Sequence, residues 1–316
     1  MNGNGSKIEI FRPFGKAFEL MKKILFQPFE FRKWLVIGFA GWLANIGAGG
    51  AGIGDFNYPN NRRDVAQKFN ETIGQIPQPV LITGICVLIC VFLLVIVLFA
   101  WLRARGRFIF IDCVVSNRAA VVEPWKEFRA EGNSFFVFSL LVVVVLVPVI
   151  VVAGLVLIVP FIPGRDQTEP GVGFWIGISL TAFISVCLIL VWALASQLMV
   201  PTMYRQRCRA RLAFVQAMDL VSSHPGPILL YVLFVLLLAV AAVMISCAVT
   251  CATCCIAAIP YVGTVILLPI PVTLGAFSLL FLRQFGPDYD VWADVMPPEF
   301  LPLLMPSPAR SGTEAA

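Results

Sequence analysis

The sequence has little charge for its length, and this shortage excludes a soluble fold. Charged residues make up 13% of the chain and hydrophobic residues 59%, whereas soluble domains have about 25% and about 45–50%. A soluble protein of 316 residues could not bury so much apolar surface and still cover itself with polar groups. Because the excess apolar surface has to face lipid, the sequence predicts an integral membrane protein.

Charge is absent altogether from five long stretches. They lie between Lys33 and Asp55, Glu71 and Arg103, Glu131 and Arg165, Glu169 and Arg205, and Asp219 and Arg283. About 20 apolar residues cross a hydrocarbon core of about 30 Å, and a charge at its centre costs about 2.5–3.5 kcal/mol. Each of the first four stretches therefore predicts one transmembrane helix. The fifth has 63 residues, which as one helix would measure about 95 Å, so it must contain two.

We predict six transmembrane helices, with five plus a re-entrant segment as the alternative. The spans are Trp34–Ile53, Val80–Leu102, Phe135–Ile162, Phe174–Val200, Ile228–Ile256 and Tyr261–Leu282. The last two are separated at Ala258-Ile259-Pro260-Tyr261, because proline lacks an amide proton and clashes with the preceding turn. The predicted fold class is an all-α, polytopic transmembrane helical bundle. Residues 1–33 form a cytoplasmic amphipathic segment, residues 34–282 the membrane domain, and residues 283–316 a Pro-rich, partly disordered cytoplasmic tail.

Lysine and arginine are distributed unequally between the two sides that these spans define. Nineteen precede span one or follow spans two, four and six, and four lie in the other loops. Because basic residues near span ends stay in the cytoplasm, both termini are predicted to be cytoplasmic. We expect span one to be an uncleaved anchor, since no Ala-x-Ala site follows it. The net charge of +5 fits attraction to anionic headgroups and not nucleic-acid binding, because the basic residues sit beside the spans.

Stretches of mixed apolar and charged residues precede spans one, three and five. We expect them to form interfacial amphipathic helices, which lie in the headgroup layer with the apolar face in the acyl boundary. Their recurrence favours a threefold repeat of helix-hairpin units, in which Val122–Leu141 aligns with Phe214–Leu233 at an offset of about 92 residues. The alternative is that the cytoplasmic connectors of any six-span protein look alike.

Groups that could carry catalysis or hold a cofactor are few. His224 is the only histidine, and it lies in a helix-ending turn without a nucleophile elbow or an oxyanion loop. The stretch Gly47-Ala48-Gly49-Gly50-Ala51-Gly52 matches the dinucleotide fingerprint, but it follows a transmembrane helix and not a strand, so helix packing is the better interpretation. We assign no catalytic, cofactor-binding or metal residues, and we predict that the chain is not an enzyme.

Four cysteines share one face near the outer end of span five, namely Cys247, Cys251, Cys254 and Cys255. A single helix cannot wrap four ligands around one ion, which disfavours a zinc site. Small-residue helix packing is the favoured interpretation, and a disulfide on the oxidising side is the alternative.

Prolines and amides inside the spans are further candidates. Pro269 and Pro271 interrupt span six and Pro148 interrupts span three. Broken helices hold substrates in some transporters, but simple kinks are tolerated in membrane bundles and are the favoured interpretation. Asn45 and Gln197 are the only amides within the predicted spans, without a carboxylate, lysine or histidine beside them, which disfavours an ion-coupled transporter. We expect Asn45 to form an interhelical hydrogen bond.

Three stretches resemble a family of uncharacterised six-span prokaryotic membrane proteins. They are Leu25-Phe26-Gln27-Pro28-Phe29 with Lys33-Trp34, Arg107–Asp112 with Pro124-Trp125, and Phe281–Asp290. That family is distantly similar to the membrane domain of some glycerophosphodiester phosphodiesterases, whose soluble catalytic domain this sequence lacks. The resemblance implies a prokaryotic inner membrane and carries over no catalytic residue.

The expected function is that of a non-enzymatic, multi-pass membrane protein. It would organise the membrane, contact lipid with anionic headgroups at the cytoplasmic face, or bind a protein partner. The alternative is a carrier or channel for a small uncharged or lipidic solute, for which the broken span six is the motivation.

Overall fold

The regular structure of the described chain is entirely helical. A computed structural model describes residues 9–27, 29–46, 77–158, 172–253 and 256–293. Its α-helices are α1 (Phe11–Phe26), α2 (Phe31–Asn45), α3 (Gln78–Val115), α4 (Val122–Glu127), α5 (Arg129–Ile158), α6 (Val172–Gln206), α7 (Ala210–Ser223), α8 (Pro225–Ala252), α9 (Pro260–Ile266) and α10 (Pro269–Leu282). Short 3₁₀ helices occupy Ile256–Ala258, Arg283–Phe285 and Pro287–Tyr289. For these residues the all-α prediction is confirmed.

Four helices, α3, α5, α6 and α8, are long and apolar enough to cross a membrane. They contain 38, 30, 35 and 28 residues, which corresponds to about 42–57 Å of helix, against a hydrocarbon core of about 30 Å. They coincide with the second to fifth predicted spans, and they support a helical membrane protein. Pro148 lies inside α5, and the helix continues through it, so span three is not divided there into the separate half-helices that hold substrates in some transporters.

The first and last predicted spans correspond to shorter helices. The 15 residues of α2 end at Asn45, and residues 47–53 of predicted span one lie outside the described residues. In place of predicted span six, α9 and α10 have 7 and 14 residues and are separated by Leu267 and Leu268. Each begins with a proline, at Pro260 and Pro269, where a missing amide proton leaves no intrahelical bond unmade. Pro260 and Pro269 therefore mark the starts of α9 and α10.

One end of the bundle is tightly packed, and we call it the base. It comprises α1, α4, α7, the ends of the long helices that adjoin them, and residues 283–293. Phe108, Met199 and Phe281 are fully buried there, and Trp292 is only 1% exposed. Away from the base, the apolar side chains of α3, α5, α6 and α8 are largely uncovered, as at Leu88, which is 70% exposed. So extensive an apolar surface is what a lipid-facing region presents.

The apolar face of α1 packs on protein. Ala17, Ile24 and Leu25 are completely buried, and α1 lies along α10. The expectation that this face sinks into the acyl boundary is therefore wrong. The reason is that α10 and α8 offer an apolar surface at the same level, shown by ring contacts of 5.5 Å and 6.1 Å from Phe14 to Phe234 and Phe277.

Glycines set the closest helix contacts. A Cβ atom on Gly106 of α3 would lie 2.7 Å from backbone atoms of Leu43 and Ala44 in α2. Gly41 and Gly275 lie on either side of the Phe110 ring, at 3.5 Å and 3.1 Å from their Cβ positions. Small residues allow such backbone approach in lipid, and they bring α2, α3 and α10 together.

The three helices that run into the base each end near a residue with left-handed backbone. Asn117 follows α3 and Arg207 follows α6, both with φ of 51°, and Gly286 follows α10 with φ of 131°. Asn and Gly tolerate this region better than other residues. Each of the three helices is thus followed within a few residues by a position of positive φ.

Candidate functional site: the charged base

The base gathers the basic segments that the sequence places on one side of the membrane. Four contacts join them: Lys33 Nζ donates to Asn117 Oδ1 at 2.7 Å, Arg207 pairs with Glu127, Gln206 Nε2 donates to the Asp288 carbonyl at 3.3 Å, and Trp292 Nε1 donates to the Val115 carbonyl at 3.3 Å. The N-terminal segment, the connections after α3 and α6, and the segment after α10 therefore lie at the same end.

Asp112, near the end of α3, is the most buried carboxylate of the base. Its side chain is 3% exposed, and Arg118 Nε and Nη2 donate to its two oxygens at 2.9 Å and 3.3 Å. Tyr204 Oη of α6 and Ser116 Oγ donate to Oδ1 at 3.1 Å and 3.3 Å. A carboxylate with this many donors is stabilised in its charged form away from water. Asp112 thus links α3, α6 and the connection after α3.

Arg118 extends this network to α4. Its Nη1 lies 3.1 Å from Glu123 Oε2 and its Nη2 lies 3.6 Å from Glu127 Oε2. The hydrogen bond to Asp112 raises the pKa of the Arg118 guanidinium above its ordinary value. The arginine therefore stays charged at every pH that the protein meets, and the network has no titrating switch in Arg118.

Arg207 lies in the connection after α6, and its side chain contacts residues of α4 and α5. It pairs with Glu127, its Nη1 lies 3.8 Å from Glu131 Oε1, and its guanidinium carbon lies 3.9 Å from the centre of the Phe128 ring. Phe128 in turn stacks on Tyr204 at 4.7 Å. The two networks therefore meet around one aromatic stack.

Arg105 is a buried cation that aromatic rings hold without a carboxylate. It is 6% exposed, and its guanidinium carbon lies 4.4 Å and 4.9 Å from the ring centres of Trp101 and Trp125. Asn133 Oδ1 accepts hydrogen bonds from Arg105 Nε and Nη2 and from Trp101 Nε1 at 2.9–3.2 Å. Such desolvated cation–π contacts are worth about 2 kcal/mol. This arrangement fastens α4 to α3 and α5.

The amides that the sequence singled out have ordinary partners. Asn45 Nδ2 donates to the carbonyl of Gly41 at 2.9 Å, within α2, and no bond from Asn45 to another helix is found among the residues that the structure describes. Gln197 Oε1 accepts a hydrogen bond from Tyr231 Oη of α8 at 3.3 Å, and Tyr231 Oη also bonds Ser278 Oγ of α10 at 2.8 Å. Gln197 therefore contributes to an interhelical polar contact.

The candidate histidine and the described cysteines lie in separate parts of the molecule. His224 lies between α7 and α8, its ring 5.3 Å from that of Phe285, and Ser222 Oγ donates to the Asp219 carbonyl. Cys247 and Cys251 are exposed free thiols one turn apart on α8. Cys254, Cys255 and the Gly47–Gly52 stretch lie outside the described residues. Within the described ranges, no group of three or more His, Cys, Asp or Glu side chains could hold a metal ion.

An apolar groove opens between the beginning of α1 and the first half of α8. Its volume is about 370 Å³, and it is lined by Ile10, Phe11, Leu230, Leu233, Phe234, Leu236, Leu237 and Val240. A groove without polar groups gives no orientation to a reacting substrate. It offers a surface to hydrocarbon only.

Sequence reasoning identified none of the charged residues in these networks as a site. In the sequence, Asp112 stands out only as the last residue of Arg107–Asp112, one of the stretches that carry the family resemblance. One signal was present, because Glu123, Glu127 and Glu131 recur at four-residue spacing opposite the basic run Arg205–Arg211. The spacing indicates complementary helix surfaces, but it does not indicate which arginine meets which carboxylate.

The fold and the base define a helical protein with membrane-type spans and a packed, charged end. The chain belongs to the family of unknown function DUF7544, whose model matches residues 9–291. No curated protein and no solved structure matches the chain. The family agrees with the predicted resemblance to uncharacterised proteins, and the comparisons give no link to glycerophosphodiester phosphodiesterases.

Proposed function

We propose that the chain is a six-span protein of a prokaryotic inner membrane, with both termini in the cytoplasm, that acts without catalysis in membrane organisation, lipid contact or partner binding. One observation carries the proposal: the basic segments meet in the base, while the long helices leave it with uncovered apolar side chains. Such a division fits a cytoplasmic base and a lipid-embedded remainder, since basic flanks stay inside.

Reporter fusions test the orientation. Green fluorescent protein fused after Arg118 or Arg209 should fluoresce, and alkaline phosphatase fused after Arg63 or Arg165 should be active, because the first reporter works inside and the second outside. Phosphatase activity after Arg118, or fluorescence after Arg165, would contradict the proposed topology. Extraction of the protein from membranes by carbonate would contradict the embedding itself.

Lipid contact is supported by the outer face of α1. Phe11, Phe18 and Phe26 are 79%, 44% and 48% exposed, and Lys22 Nζ lies 4.7 Å from the centre of the Phe18 ring. Exposed rings beside lysines are the composition of an interfacial anchor. In this proposal only part of the α1 surface contacts lipid, which is less than the sequence implied. The buried face of α1 packs on α10, and the exposed phenylalanines meet lipid.

The threefold repeat is supported by the connections. The left-handed residues Asn117 and Arg207 are separated by about the offset at which the second and third units align, and Gly286 ends the third inward helix. Amphipathic helices of different lengths follow, 6 residues in α4 and 14 in α7. We propose three diverged copies of one unit, in which the left-handed turn is the shared feature.

The alternative, a carrier or channel, draws on the break at Leu267 and Leu268 between α9 and α10. Discontinuous helices form binding sites in transporters. A carrier reading predicts uptake of an uncharged or lipidic solute by proteoliposomes, and a loss of uptake in Pro269→Ala/Pro271→Ala. Absence of uptake in the wild-type protein would remove this reading and leave the helper role.

A further inference from the structure

Two arginines of α3 stand at the point where its apolar part meets the base. Arg103 directly follows the charge-free stretch that ends at Leu102, and Arg107 lies one turn further on the same face. In the described part of the chain, neither forms an ion pair, in contrast to Arg118 and Arg207. Two neighbouring cations repel each other, so this face of α3 carries uncompensated positive charge.

The surroundings of the two arginines are half apolar. Arg107 lies over the Phe135 ring of α5, with its guanidinium carbon 5.5 Å from the ring centre. Arg103 Nε is buried and, within the described residues, has no hydrogen-bond partner. The same is true of Ser139 Oγ. A buried donor without a partner costs about 1–3 kcal/mol, more when it is charged.

The register of α3 and α5 brings these groups to one place. The two helices run antiparallel, as the contacts of Arg105 with Gly132 and Asn133 show. Phe135 packs against Arg107, and one turn further from the base Ser139 follows Phe135 on α5 while Arg103 precedes Arg107 on α3. The antiparallel register therefore places the Ser139 hydroxyl and the two arginines along the same part of the contact between α3 and α5.

We propose that Arg103, Arg107 and Ser139 bind the phosphate group of a phospholipid in the leaflet that faces the base. This inference rests on the proposed membrane embedding and names the lipid contact. Guanidinium groups match phosphate oxygens through paired, charge-assisted hydrogen bonds. The position of Arg103 along α3 favours a lipid as the source of the phosphate. Arg103 is the first charged residue after the apolar run, which is the level at which lipid headgroups begin.

Other arginines of the base are less suited to this role. Arg105 is already held between Trp101, Trp125 and Asn133. Arg118 and Arg207 are neutralised by carboxylates. An anion binds most favourably to cations that no carboxylate of the protein neutralises. Arg103 and Arg107 are such cations among the described residues.

The test is a titration of the purified full-length protein with phosphatidylglycerol, followed by native mass spectrometry and by the lipid-dependent rise in Tm. Arg103→Gln/Arg107→Gln is the test variant, and Arg209→Gln/Arg211→Gln is the control, since both arginines of the control are exposed and the same charge is lost. We expect the affinity to fall about tenfold or more in the test variant only. Ser139→Ala is a milder second variant, for which a smaller loss is expected, and it guards against misfolding of the double variant.

Each outcome decides the proposal. A selective loss in Arg103→Gln/Arg107→Gln and in Ser139→Ala supports it. An equal loss in the control pair overturns it in favour of diffuse attraction, and unchanged binding in both test variants overturns it outright. If inorganic phosphate displaces the lipid and raises Tm alone, the site takes a soluble anion and the lipid assignment fails. Reporter fusions on the same variants separate the two proposals, because orientation should stay unchanged even where lipid binding is lost.

Discussion

At the scale of single residues, the base depends on charges that are removed from water and paired. Asp112 is almost completely buried and accepts hydrogen bonds from Arg118, Tyr204 and Ser116. A buried charge is tolerated only when its partners replace the lost hydration. The network therefore fixes the position of the connection after α3 against α6. Both carboxylate oxygens of Asp112 accept hydrogen bonds in it.

Asp112→Asn should destabilise the protein, because it leaves Arg118 without its principal partner and gives Tyr204 a weaker acceptor. We expect a loss of roughly 1–3 kcal/mol, below the range for a fully buried pair, since the Arg118 side chain is 38% exposed and can regain water. The measurement is Tm in detergent, which should fall by several degrees.

Glu123→Gln is the matched control for Asp112→Asn. It removes a carboxylate from the same arginine, but the Glu123 side chain is 73% exposed, and surface ion pairs contribute about 0–1 kcal/mol. A fall in Tm as large for Glu123→Gln as for Asp112→Asn would show that charge in general, and not the buried contact, stabilises the base.

At the residue scale, the long stretches without charge predicted helices correctly, but the ion pairs and hydrogen bonds of the base could not be predicted from the sequence. The long neutral stretches have a direct physical cause in the bilayer, so the helices α3, α5, α6 and α8 were predicted from the printed residues. Asp112 and Tyr204 meet only after α3 and α6 pack, and no local pattern marks that meeting. Within the described residues, Asn45 bonds the Gly41 carbonyl of its own helix α2 and not another helix, a local partner that the sequence pattern does not indicate.

At the scale of helices, glycine decides which elements touch. The backbones of α2 and α3 approach at Gly106, and α9 crosses α2 at Gly38, where a Cβ atom would lie 2.7 Å from Val265 Cγ2. The clustered glycines at Gly47–Gly52 attract more notice in the sequence, since clustering is visible in a sequence and a contact between helices is not. Gly106 is an isolated glycine, and its role becomes evident only from its contact with Leu43 and Ala44 of α2.

Gly106→Ala should disrupt the contact of α2 with α3. The added methyl group would meet backbone atoms of Leu43 and Ala44, which cannot rotate away, and overpacking of this kind costs about 1–3 kcal/mol. Gly84→Ala is the control on the same helix, because nothing lies within 4 Å of its Cβ position and alanine favours helix. We expect Tm to fall for Gly106→Ala and to stay equal or rise for Gly84→Ala. Equal falls would indicate that helix flexibility, and not the contact, explains the effect.

At the scale of the whole molecule, the two ends of the described chain meet. α1 lies along α10, and Trp292 is buried beneath α3 with its indole on the Val115 carbonyl. The predicted cytoplasmic tail thus begins with a segment, residues 283–293, that packs into the base. Polar backbone groups need partners, and the segment after α10 obtains them mainly from its own turns, as in the bond from Tyr289 N–H to the Gly286 carbonyl, and from the Gln206 side chain of α6, which donates to the Asp288 carbonyl. The base is consequently made from both ends of the described chain and from the connections between helices.

This closure can be tested by cross-linking Glu9 to Gln284. Their backbone and side-chain groups exchange two hydrogen bonds, Glu9 N–H to Gln284 Oε1 and Gln284 Nε2 to the Glu9 carbonyl, each 2.9 Å long. In a background without other cysteines, Glu9→Cys/Gln284→Cys should be joined by a short bifunctional thiol reagent. The measurement is a shift in electrophoretic mobility, together with a rise in Tm, because a link between distant chain positions restricts the unfolded state.

The single variants should not shift, and Lys22→Cys/Gln284→Cys should react less, since Lys22 lies more than two turns along α1 on its exposed side. Efficient linkage of that control pair, or none in Glu9→Cys/Gln284→Cys, would mean that α1 does not hold this position on α10 in the membrane.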